Sequence, residues 1–75
     1  MSWNYRLIDH GNHVAVHEVY YDGRGRVCAW TSDPVTFVAD SVEGADGLRL
    51  DLARALSDAL RLPVLDAAEE AAHIA

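Results

Sequence analysis

Near Asp46 the hydrophobic period of the chain changes from 2 to 3.6, and this switch limits the fold to a β half followed by a helical half. Beyond it, Leu48, Leu52, Ala55, Leu56, Ala59 and Leu60 recur at i, i+4, i+7, i+8, i+11 and i+12, one stripe of a helix. Arg49, Asp51, Arg54, Ser57, Asp58 and Arg61 take the other side, so the apolar stripe is expected to pack on the sheet. Asp46 suits the N-cap and Pro63 marks the stop. After Pro63, Asp66 and Glu69 stand three apart ahead of an alanine-rich run. That spacing predicts a capping box and a short terminal helix from Ala67 to about His73.

Before the switch the pattern is that of strands. Trp3 to Ile8 alternates, with Trp3, Tyr5 and Leu7 on one face, and Asp9-His10-Gly11-Asn12 supplies turn residues. His13 to Tyr21 reads as a second strand, neither of whose faces is wholly apolar. Asp22-Gly23-Arg24-Gly25 lies between two β-rich runs, and an Asp-Gly pair in that setting is a strong hairpin signal. Arg26 to Thr31 returns as the third strand, and Asp33-Pro34 breaks it. Val35 to Val38 could add a short fourth edge strand, because Pro34 suits an edge. The expected fold class is α+β: a three-stranded antiparallel meander packed by one amphipathic helix, with a short C-terminal helix. Residues 1–66 form a single ββ(β)α domain, and residues 67–75 an acidic, Ala-rich C-terminal helix or frayed tail.

Seventy-five residues leave room for one domain with a thin core, so a partner or homodimer formation would add much to its stability. Trp3, Tyr5, Tyr20, Tyr21, Trp30 and Phe37 all fall in the β half. One helix covers one sheet face, so some of these rings are expected at an edge, under the tail or in solvent. No signal peptide or membrane span is read, and the single cysteine, Cys28, fits a reducing cytoplasm.

The net charge of −6 is unevenly spread. Residues 1–26 balance. Residues 27–48 carry Asp33, Asp40, Glu43 and Asp46 with no base, and residues 62–75 add Asp66, Glu69 and Glu70. Backbone binding of DNA or RNA needs clustered Lys and Arg, so direct nucleic-acid binding is disfavoured and a protein partner with a basic surface fits better.

Catalytic and metal chemistry find little footing. His13 and His17 on one strand face would stand roughly 13 Å apart, too far for one ion. Asp9, His10 and His13 could converge through the turn but match no ligand spacing, and surface histidines are the simpler reading. Cys28 with His17 would need strands two and three to bring them together, yet counting back from the turn sets Cys28 nearer Val19. The two glycines of Asp22–Gly25 lack the strand-to-helix setting of a phosphate loop. No catalytic residue, metal or cofactor is implied.

The strings Ser2-Trp3-Asn4-Tyr5-Arg6, His17-Glu18-Val19-Tyr20-Tyr21-Asp22 and Pro63-Val64-Leu65-Asp66, with Trp30-Thr31 between, resemble a group of short, mostly uncharacterised bacterial proteins. The resemblance spans residues 2–66 and supports the fold; the extension from Ala67 to Ala75 departs from it. The β-β-β-α order is also similar to HicB-like antitoxins, in topology alone. In size, acidity and lack of catalytic groups the chain resembles phage-encoded anti-CRISPR proteins. On that likeness it would be a non-catalytic inhibitor of a nucleic-acid-handling bacterial machine, its carboxylates mimicking phosphates. Asp33, Asp40, Glu43 and Asp46 would then make the protein contacts, with Asp66, Glu69 and Glu70 second. The alternative is a host regulator or antitoxin that binds a small basic partner.

Overall fold

A computed structural model describes residues 2–74 as a four-stranded sheet with two helices. The elements are β1 (Ser2–Asp9), β2 (Val14–Tyr21), β3 (Val27–Trp30), α1 (Gly44–Arg61), β4 (Leu65–Asp66) and α2 (Ala67–Ile74). The α+β class and the antiparallel β1-β2-β3 meander stand as the alternation implied. In the Asp22–Gly25 turn, Asp22 Oδ1 accepts the amides of Arg24 and Arg26, and Gly25 takes a φ of 77° that few other residues tolerate.

The fourth strand is not Val35–Val38. The sheet order is β3-β2-β1-β4, and the two-residue β4 pairs parallel with β1, Ile8 opposite Leu65 and Asp9 opposite Asp66. The 31–35 stretch instead touches β2 at single points: the Thr31 amide donates to Glu18 O and the Val35 amide to Val16 O. With Pro34 between them it lacks the consecutive donors a ladder needs.

Register sorts the side chains. Tyr5 pairs with Glu18, Arg6 with His17 and Val19 with Trp30. One face therefore carries Asn4, Arg6, Ile8, His17, Val19, Tyr21 and Trp30, and the other Trp3, Tyr5, Leu7, Val16, Glu18 and Tyr20. The first face is the dry one, with Ile8 and Val19 at 0% exposure and His17 at 1%. Because α2 touches both edge strands, β3 and β4, it must cross a sheet face, and Ala71 and Ile74 meet Cys28 and Trp30 there. On the other face Tyr5 is buried, its ring 5.2 Å from Trp3 and 5.9 Å from Phe37. The aromatics thus divide: Tyr5 in the core, Trp30 beside the terminal helix, and Trp3 among the exposed residues.

Helix α1 begins earlier than the sequence implied. Its first residue is Gly44 and its N-cap Glu43 makes no side-chain cap, whereas Asp40 Oδ1 accepts the amides of Val42 and Glu43 in the turn before it. Asp46, expected as the cap, lies in the first turn and pairs with Arg49 at 2.9 Å. The stop is as expected: Leu62 turns extended ahead of Pro63. Asp66 caps α2 by accepting the Glu69 amide at 3.0 Å.

The larger correction concerns which side of α1 faces inward. Leu52, Leu56 and Leu60 are 45%, 61% and 80% exposed, while Ala55 is buried and Asp51, Asp58, Ala59 and Leu62 are half-buried. The helix packs on β1 alone among the strands at any density. β1 has an open edge there, because β4 pairs only with Ile8 and Asp9. Asp58 Oδ2 accepts the Tyr5 amide across that edge at 3.1 Å. Leu48, Ala55 and Ala59 of the expected stripe do face inward. The helix is turned so that Asp51 and Asp58 join them, Asp58 meeting an otherwise unpaired strand amide, while Leu52, Leu56 and Leu60 face out.

Burial, reinforced by the negative charges of Asp51 and Glu18, raises the Tyr5 phenol above its ordinary pKa of 10.0. A raised folded-state value means that Tyr5's contribution is intact below pH 10.0 and is lost as pH climbs through the higher folded value. Unfolding measured across the alkaline range should therefore show stability falling above about pH 10, and Tyr5→Phe should lessen that fall. Equal alkaline loss in both proteins would refute the assignment.

Candidate functional site

The seven acids named from the sequence fall into two groups at helix starts and one outlier. Asp40, Glu43 and Asp46 lead into α1, all exposed; Asp66, Glu69 and Glu70 open α2; Asp33 stands alone and exposed in the loop after β3. Carboxylates are favoured at the positive end of a helix. Asp40 and Asp66 also hold backbone amides, and Asp46 holds Arg49. Three of the seven therefore have work within the fold. Glu70 is half-buried in a groove with Asp22, Arg26, Cys28 and His73.

Three separate strings of the sequence, residues 2–6, 17–22 and 63–66, meet at one buried side chain. Arg6 is 8% exposed; its Nη1 donates to Tyr21 Oη at 2.9 Å and its Nη2 to the Pro63 carbonyl at 2.8 Å. Tyr21 Oη in turn donates to Asn4 Oδ1 at 2.8 Å. Asn4 and Arg6 come from the first string, Tyr21 from the second and Pro63 from the last. The planar guanidinium fork suits two acceptors at once, while its Nε is buried with no partner among the described residues. The arrangement braces β1 against β2 and against the chain leaving α1.

A second cluster joins three histidines. His17 Nδ1 lies 2.8 Å from the Thr31 carbonyl, which can only accept, so Nδ1 carries a proton. His17 Nε2 faces His10 Nε2 at 2.9 Å, and His10 stacks on His13 at 4.7 Å. His13 precedes β2, so it does not share a strand face with His17. Asp9 turns instead to the Gly11 amide. Among the described residues no group of three or more His, Cys, Asp or Glu side chains is arranged to hold a metal ion. His13 Nδ1 instead faces Asn12 Oδ1 at 2.7 Å.

The Cys28–His17 pairing weighed from the sequence does not form. Cys28 Sγ donates to the Tyr20 carbonyl at 3.5 Å, at a bulge between Tyr20 and Tyr21, and both His17 nitrogens are engaged elsewhere.

Sequence reasoning passed over Arg6 and the outward leucines, and weighed His17 only against His13 and Cys28, never against His10 or Thr31. Counting outward from the expected Asp9–Asn12 turn would set Arg6 opposite Ala15; the loop is His10 to His13, and that one-residue shift is what brings His17 opposite Arg6. The leucine direction carried no signal in the sequence.

Compared with family models, curated proteins and solved structures, the chain matches none. No helix among the described residues is long and apolar enough to cross a membrane.

Proposed function

We propose that this protein acts by binding and not by catalysis, as an acidic inhibitor of a nucleic-acid-handling bacterial machine in the manner of anti-CRISPR proteins. The observation that carries this reading is the stretch from Val27 to Leu48, which holds no base and exposes Asp33, Asp40, Glu43 and Asp46 to solvent. Asp33, Asp40 and Glu43, exposed and with no cation among them, present to a basic groove much what a phosphate backbone presents, while Asp46 is paired with Arg49. The partner is a protein with a basic surface, met inside the cell, and no cofactor takes part.

Neutralising these charges without disturbing the caps tests the reading. Asn at Asp33 and Asp40 and Gln at Glu43 keep an acceptor oxygen at each position while removing the charge. The triple variant should keep its circular dichroism and lose at least about tenfold in affinity for a partner recovered by pulldown, with the wild-type affinity falling steeply with salt. Equal affinity of the two proteins would sink the proposal.

The exposed leucines of α1 favour a second reading, a host regulator or antitoxin that engages its toxin through an apolar helix face. A toxin gene beside this one, with a partner that co-purifies in high salt, would select it over the first.

A further inference from the structure

We infer that the outward face of α1 is a docking surface for a second copy of this chain, the two helices antiparallel with Leu56 on the two-fold axis. Leu52, Leu56 and Leu60 form an i, i+4, i+8 ridge that is 45%, 61% and 80% exposed. Such ridges interdigitate with others of their kind at a crossing angle of about −50°. The ridge is symmetric about Leu56: a two-fold axis there sets Leu52 against the partner's Leu60, and Leu60 against the partner's Leu52. A self-matching patch of this sort is what a two-fold interface requires.

Charge selects the same occupant. α1 carries Asp46, Asp51 and Asp58 against Arg49, Arg54 and Arg61 and is neutral, so the entire −6 excess of the chain lies off this helix. Two copies meeting through the loop of Asp33, Asp40 and Glu43 or through the segment of Asp66, Glu69 and Glu70 would bring acid against acid; meeting on α1 they do not. Arg49 lies on the ridge side, between Leu56 and Leu60 on a helical wheel. With the axis at Leu56 it falls beside the C-terminal end of the partner's α1, where unpaired carbonyls favour a cation.

The area sets the strength. A helix of 18 residues is about 27 Å long and about 10 Å wide, so one face covers at most roughly 270 Å² per copy, about a third of the roughly 800 Å² of a standard interface. The pairing is therefore weak and depends on concentration, and it goes beyond the binding role proposed above.

Sedimentation equilibrium of the full chain reads it directly. The weight-average mass should rise from 8.2 kDa towards twice that value between about 10 μM and about 1 mM protein. Leu56→Glu, which places two carboxylates on the axis, should hold the mass at the monomer value with unchanged circular dichroism. A wild-type chain that stays monomeric across the range overturns the inference, as does a dimer that Leu56→Glu leaves intact. Orientation is read by oxidative cross-linking in a Cys28→Ser background. A mixture of Leu52→Cys and Leu60→Cys proteins should give the mixed disulfide in excess, and products of each variant only with itself would overturn the antiparallel arrangement.

Discussion

Arg6→Ala is expected to lower folding stability by about 3 kcal/mol, seen as a large drop in the midpoint of urea unfolding. The chain as a whole holds on the order of 4 to 11 kcal/mol, so much of its margin would go. Two effects oppose each other at this position. Truncation empties a site that is 8% exposed and strips the Pro63 carbonyl of its donor. It also removes a buried cation that meets a hydroxyl and a carbonyl and, among the described residues, no carboxylate, which returns some desolvation energy. Arg6→Met separates the two, because it keeps most of the volume and loses the fork. Tyr21 still donates to Asn4 in that variant, so only one acceptor is stranded, and the expected cost is about 1 kcal/mol. If methionine costs as much as alanine, hydrogen bonding and not packing dominates the site.

Ile8→Ala should cost a similar amount, about 3 kcal/mol, for a different reason. Ile8 is 0% exposed and lies between Ala15 of β2 and Leu65 of β4. It is one of only two fully buried aliphatic side chains among the described residues, Val19 being the other, so little around it can collapse into the void. Ile8→Val, one methyl group smaller, should lose about 1 kcal/mol. Hydrogen exchange ought to show the β4 amides opening first in the alanine variant, since β4 pairs with β1 only at Ile8 and Asp9. Protection of those amides equal to wild type would contradict this account of the core.

Where the sequence carried a period, it was legible. Alternation located three strands to within a residue or two, Asp22-Gly23 located the hairpin, and Asp66 with Glu69 located the second helix. Leu65-Asp66 is too short to display a period, and parallel pairing with a strand from the other end of the chain leaves no turn residue to announce it. The α1 face was misread because periodicity reports that a helix has two sides and not which one the sheet accepts. Here the side of α1 that meets β1 carries the small Ala55 and Ala59 with Asp58, whose carboxylate accepts the open Tyr5 amide. The acids were legible as a surface, but their division between capping and free charge depended on where each helix starts: Asp40 serves the turn that the sequence assigned to Asp46.

The brace from Arg6 to Pro63 spans 57 residues. During synthesis the hairpin of β1 and β2 emerges early, yet the guanidinium has no carbonyl to meet, and β1 no β4 beside it, until Pro63 and Leu65-Asp66 have left the ribosome. Contacts this distant in sequence are slow to close. Until then β1 keeps an open edge able to pair with another nascent copy, so crowded polysomes are where this small domain is most exposed to misassembly.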